Sequence, residues 1–91
     1  MSTTADPETL LGRAARGDRD AFASFYDQTS HHVYRFALLT AGAPEPAEQV
    51  CRTTYLRAWH RAGQYDARSA SPIAWLISLA RDAGPEHTTA A

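Results

Sequence analysis

AEQVCRTTYLRAWHRA, Ala47 to Ala62, spaces its apolar side chains by three or four positions. Ala47, Val50, Cys51, Thr54 (through its methyl), Tyr55, Ala58, Trp59 and Ala62 therefore share one face of a helix. Glu48, Gln49, Arg52, Thr53, Arg57, His60 and Arg61 fall on the other face. Leu56 is the one large apolar residue off the stripe. A two-faced helix of about four turns needs a surface to lie against. Its polar face, with Arg52, Arg57 and Arg61, is where a partner is expected.

The segments on either side supply helices to pack against. Asp6-Pro7-Glu8 reads as a helix start: a capping carboxylate, a proline at the first position and an acid at the positive end of the dipole. That first helix carries Leu10, Leu11, Ala14 and Ala15 and is expected to stop at Gly17. Asp18 caps a long second helix, Arg19 to Ala41, with Phe22, Phe25, Tyr26, Thr29, Val33, Phe36, Ala37 and Thr40 as its stripe. Ser30-His31-His32 is a weak point where it bends or frays. The two adjacent histidines point about 100° apart on a helix, which argues against a shared metal ion.

Gly42-Ala43-Pro44-Glu45-Pro46 reads as a turn, with Pro46 near the start of the third helix and Gly63 at its end. Gln64 to Ala70 is a loop. Ser71-Pro72 opens a fourth helix, IAWLISLARDA, which is apolar on nearly all sides and so is expected to be the most buried element. Gly84-Pro85 ends it. The expected fold is all-α, a compact bundle of four helices over residues 6–84. Residues 1–5 and 85–91 read as flexible tails.

Composition bounds the function. With 91 residues and 44% hydrophobic content the chain makes one small domain with a modest core. A net charge of −1 gives no bulk electrostatic footprint for nucleic acid, so any such role needs a local basic patch. The single Cys51 excludes an internal disulfide and reads as a small buried hydrophobe. No apolar run approaches the ~20 residues of a membrane span, and the N-terminus lacks a signal core. A cytoplasmic protein is expected. There is no phosphate loop, no paired-histidine motif and no catalytic constellation, so neither an enzyme nor a cofactor is expected. Trp59 and Trp75, each amid apolar residues, read as core.

Taken in order, GRAARGDRDAFASFYDQTSHHVYRFAL and then AEQVCRTTYLRAWHRAGQYDARSASPIAWLISLAR resemble the second conserved region of extracytoplasmic-function bacterial sigma factors. The marks are Arg16-Gly17-Asp18 before Ala21-Phe22, Phe25-Tyr26, Val33-Tyr34, Tyr55-Leu56-Arg57-Ala58-Trp59, Tyr65-Asp66, Ser71-Pro72, Ala74-Trp75-Leu76 and Ala80-Arg81. They run over about residues 8–82. The resemblance implies a compact helical domain acting in transcription initiation. It implies that the third helix docks on the β′ clamp helices of RNA polymerase core through Glu48, Gln49, Arg52, Thr53 and Leu56. It also implies that the loop and fourth helix engage the non-template strand of the melted minus-ten promoter element. Arg57, Arg61, Arg68 and Arg81 are the candidate DNA contacts.

Three features depart from the family pattern. Where the family's third helix reads Ala-Glu-Asp-x-x-Gln-Glu, this chain has Gln49, Arg52 and Thr53 in place of the Asp, Gln and Glu. The basic run that continues the fourth helix is replaced by Asp82-Ala83-Gly84-Pro85-Glu86. The family's helix-turn-helix fourth region does not follow, which leaves open a fragment or a natural single-domain protein. A second reading therefore stands beside the first: a sigma-like protein that binds a protein partner, such as an anti-sigma factor or polymerase, without reading a promoter. A continuous basic surface over the four arginines would favour DNA. An exposed apolar patch including Leu56 would favour a protein.

Overall fold

A computed structural model describes residues 5–83. They form α1 (Pro7–Ala14), α2 (Arg19–Ala41), α3 (Pro44–Arg61) and α4 (Pro72–Asp82), with a single 3₁₀ turn over Ala62–Gln64 between the last two. The described residues contain no strand, so the all-α bundle of four helices expected above is the observed architecture.

Local chemistry sets most of the boundaries. The Thr9 amide donates to Asp6 Oδ1 at 2.9 Å, and Pro7 occupies the first helical position where its missing N–H is not needed. α1 ends at Ala14, earlier than expected. Gly17 then takes a left-handed φ of 95° and lets the chain reverse. Asp18 caps α2 by accepting from the Ala21 amide at 3.0 Å, and its carboxylate also receives Arg13 at 3.0 Å. α2 runs unbroken to Gly42, whose φ of 82° closes it, so no fraying occurs at Ser30–His32. The rings of His31 and His32 lie 4.0 Å apart, closer than their angular separation suggested.

α3 begins at Pro44 rather than near Pro46. Both prolines sit in the first turn, where four amides lack intrahelical partners in any case, so neither breaks the helix. The first amide to bond back is that of Ala47, to the Ala43 carbonyl at 3.1 Å. At the other end the helix gives way at Arg61 to the 3₁₀ turn, and Gly63 does not take a left-handed conformation. Ser71 caps α4 through the Ala74 amide at 3.1 Å. The stop expected at Gly84-Pro85 lies outside the described residues, as do residues 1–4 of the first tail and all of the second. Ala5, assigned to the first tail, accepts from Gln28 Nε2 at 2.9 Å and packs against the core.

The core draws on every helix: Leu10 and Leu11 from α1, Phe25 and Val33 from α2, Val50 and Ala58 from α3, Leu76 and Leu79 from α4. α2 lies against α1, α3 and α4, so it is the element the others gather on. α4 has the smallest share of exposed residues of the four helices. Leu76, Leu79 and Ala80 are buried, but Ile73, Trp75 and Ile77 are only half-buried. Its main packing partners are α2 and α3.

Candidate functional site

α3 is the element with two distinct sides. Ala47, Val50, Thr54 and Ala58 are buried on one side. Thr54 satisfies its buried hydroxyl by donating to the Val50 carbonyl at 2.6 Å, which lets a polar residue occupy a core position. Glu48, Gln49, Arg52, Thr53 and Leu56 follow the i, i+1, i+4, i+5, i+8 spacing of a single helix face. That face points outward: Thr53 is half-buried and the other four are exposed, Leu56 at 59%. The structure thus brings together all five residues expected on one face.

The face does not end at α3. Tyr55 reaches across to α2, where its hydroxyl lies 2.6 Å from Thr29 Oγ1. Thr29 also donates to the Phe25 carbonyl, so Tyr55 is the donor left to complete the bond. Burial pushes the Tyr55 phenol far above its ordinary range and keeps it neutral. Tyr26 packs edge-on to Tyr55 with centroids 4.6 Å apart, and Phe22 packs edge-on to Trp59 at 5.3 Å. Two grooves open along this aromatic seam. One, of about 580 Å³, is lined by Arg19, Phe22, Ala23, Arg52, Tyr55, Leu56 and Trp59. The other, of about 610 Å³, is lined by Tyr26, Ser30, His31, Tyr34, Glu48, Cys51, Arg52 and Tyr55. They share Arg52 and Tyr55.

Several sequence expectations change here. Trp59 is half-buried and lines a groove instead of filling the core, while half-buried Cys51 packs against the core and also lines a groove. Trp75, read as core, is half-buried, packs against the core and meets Tyr65 edge-on at 5.4 Å. Burial, with a smaller push from Glu48, raises the Cys51 thiol, which opposes thiolate chemistry at neutral pH. The contributions of α2 to this surface, Arg19, Phe22, Tyr26 and Tyr34, went unrecognised as site residues. The signal available was the width of the α2 stripe. Phe22 and Tyr26 lie a turn apart on a flank that Phe25 and Val33 do not need.

The candidate nucleic-acid residues are more dispersed. Arg57 and Arg61 stand one turn apart on α3, the first half-buried and the second exposed at the helix end. Arg68 projects from the loop after the 3₁₀ turn with its side chain 92% exposed, held 3.4 Å from Asp66 Oδ1. Arg81 is exposed in the last turn of α4. Among the described residues only Arg68 of these four makes an ion pair. The loop itself is held closed. Tyr65 donates its hydroxyl to the Ala70 carbonyl at 2.7 Å, and Asp66 accepts from the Arg68 amide at 3.0 Å through its side chain and from the Ser69 amide at 2.9 Å through its carbonyl. Among the described residues no group of three or more His, Cys, Asp or Glu is placed to hold a metal, and no helix is long and apolar enough to cross a membrane.

Comparison with known proteins agrees with the geometry. Residues 25–83 match sigma-70 region 2. The chain is 40% identical over 77 residues to the ECF RNA polymerase sigma factor SigK of Mycobacterium sp. (strain KMS), covering 85% of this chain and 40% of that protein. It is 41% identical over 75 residues to SigK of Mycobacterium ulcerans, covering 82% of this chain and 40% of the relative. It is 37% identical over 78 residues to the ECF sigma factor BldN of Streptomyces coelicolor, covering 86% and 30%. The chain therefore spans two fifths or less of these relatives.

Proposed function

The chain belongs to the sigma-70 region 2 family, on its extracytoplasmic-function branch, and from that premise we propose that it acts in bacterial transcription initiation as a binding domain. In this reading α3 docks on the β′ clamp helices of RNA polymerase core through Glu48, Gln49, Arg52, Thr53 and Leu56. The loop and α4 then meet the non-template strand of the minus-ten element, with Arg57, Arg61, Arg68 and Arg81 as its cationic contacts. No chemical step is assigned to any residue, and the work is done in the cytoplasm, where the polymerase is.

The observation that carries the reading is the outward stripe on α3, five residues on one face with a large exposed leucine at its end. A half-exposed Leu56 beside apolar grooves is what a protein-docking surface needs. The closed loop between Tyr65 and Ala70 supports the second contact, because a pre-ordered loop spends less entropy in holding an unpaired strand. The test is binding of the purified protein to polymerase core, followed by addition of a fluorescent non-template minus-ten oligonucleotide. Core binding followed by joining of the oligonucleotide is expected. A folded, helical protein that binds neither would overturn this reading.

Two observations favour a second reading, in which the domain binds a protein partner without reading a promoter. Arg52 stands at the centre of the docking face, and the four DNA-candidate arginines are spread over α3, the loop and α4.

A further inference from the structure

In the loop before α4, residues 66–69 are all exposed, so burial in the core does not fix their shape. Two side chains do. Asp66 organises the turn from within. Its carbonyl accepts from the Ser69 and Ala70 amides at 2.9 and 3.3 Å, and its Oδ1 accepts from the Arg68 amide at 3.0 Å. Tyr65 closes the turn from outside, its hydroxyl donating across the loop to the Ala70 carbonyl at 2.7 Å. Ala70 stands directly before Ser71, the residue that caps α4. The Tyr65 ring meets Trp75, in the first turn of α4, edge-on at 5.4 Å. The Trp75 amide in turn bonds to the Ser71 carbonyl at 2.9 Å. Tyr65 is thus fastened to the start of α4 twice, by its ring and by its hydroxyl.

We propose that Tyr65 is a positioning residue for strand binding: its hydroxyl holds the exposed turn that carries Arg68 in the form that meets single-stranded DNA, without touching the DNA itself. The inference rests on reading this loop as a contact to the minus-ten strand, and it assigns the order in the loop to one hydroxyl. A tyrosine hydroxyl has one proton to give, and here Ala70 receives it. The contact with Trp75 cannot stand in for that bond, because it fixes the ring and leaves Ala70 free to turn away. Without the hydroxyl the turn keeps only the short-range bonds to Asp66, and its ends can part. Each conformation that carries Arg68 away from its place lowers the binding-competent fraction, and apparent affinity falls with that fraction.

The test is Tyr65→Phe in the whole chain, which keeps the ring against Trp75 and removes the hydroxyl; its fold is checked by circular dichroism. Amide hydrogen exchange at Arg68, Ser69 and Ala70 in the free protein is expected to quicken about two- to tenfold, the worth of one hydrogen bond. On polymerase core, affinity for the fluorescent non-template minus-ten oligonucleotide is expected to fall by a similar factor, with core affinity unchanged. In an Arg68→Ala background the loss should shrink, because the two residues act through one turn. Unchanged exchange, unchanged oligonucleotide affinity, or a full loss in the Arg68→Ala background would each overturn the proposal. Where the wild type binds the oligonucleotide and Tyr65→Phe binds it equally well, this inference alone fails. Where the wild type binds core but not the oligonucleotide, the strand-contact reading fails and takes the positioning role with it.

Discussion

Thr29 and Tyr55 illustrate how single residues hold the seam beneath the docking face. Their hydroxyls meet at 2.6 Å between α2 and α3, and both side chains are buried. Thr29→Val keeps the shape and removes the acceptor, leaving the Tyr55 hydroxyl buried without a partner. A loss of about 1–3 kcal/mol is expected in urea unfolding, and a loss within the noise of Ile-to-Val-type changes would mean that the hydroxyl finds water instead. The same two residues help set the pH range of the fold. Burial raises the Tyr55 phenol, so its neutral form is the one the folded state favours. That contribution is complete below the ordinary phenol value near ~10 and is lost as pH rises through the raised one. Asp18 works in the opposite sense. The Ala21 amide, and then Arg13, hold its carboxyl below the usual range. Its contribution is present above about pH 4 and lost as pH falls through the lowered value. Thermal melting should therefore be flat from roughly pH 5 to 9 and decline on both sides. Asp18→Asn should lessen the acid-side decline while leaving the alkaline side unchanged. Such caps were legible because a carboxylate before a helix start has few other uses. Trp59 was misplaced because helical spacing says which face a residue shares, not how far the neighbouring helix extends over it.

At the scale of the element, α3 was the most legible part of the chain and also the one whose meaning depends most on its neighbour. Its buried and exposed faces follow from spacing alone. Its start did not, because two prolines separated by Glu45 read as a turn until it is noticed that a first turn tolerates both. α4 was legible from its composition, since a helix apolar on nearly all sides is expected inside and it has the smallest share of exposed residues. For the docking face, the family pattern supplies a direct experiment. Gln49→Asp, Arg52→Gln and Thr53→Glu together restore the polar sequence typical of the family's third helix. If polymerase core docks there, the triple variant should bind core at least about tenfold more tightly, since it removes a cation and adds two acids on one exposed face. A triple variant that left core affinity unchanged would argue that core docks elsewhere or not at all. Stability should move little, because Gln49 and Arg52 are exposed and Thr53 is only half-buried.

At the scale of the whole molecule, charge decides how strongly DNA can be held. The chain carries a net charge of −1, so there is no long-range attraction to a polyanion and any affinity must come from particular cations. The sequence named Arg57, Arg61, Arg68 and Arg81, but it could not say whether folding would gather them. Folding places two on α3, one on the loop and one at the end of α4. For single-stranded DNA each neutralised phosphate adds about −0.7 to the slope of log affinity against log salt. If all four arginines reach phosphates, the domain's share of the slope for minus-ten oligonucleotide binding is about −3. Arg68→Ala and Arg81→Ala should each flatten it by about 0.7 when measured on the core-bound protein. Arg68 is the sharper probe, because Asp66 holds it 3.4 Å away in the free domain and must release it to a phosphate. Asp66→Asn would then raise oligonucleotide affinity through Arg68, provided the loop stays closed by the Tyr65 hydroxyl and the Asn side chain still accepts from the Arg68 amide. The double variant Asp66→Asn, Arg68→Ala separates the two effects. If Asp66 acts only by restraining Arg68, the gain disappears in that background. If the gain persists, the carboxylate was repelling the strand directly, and Arg68 is a solvated loop residue with no part in binding.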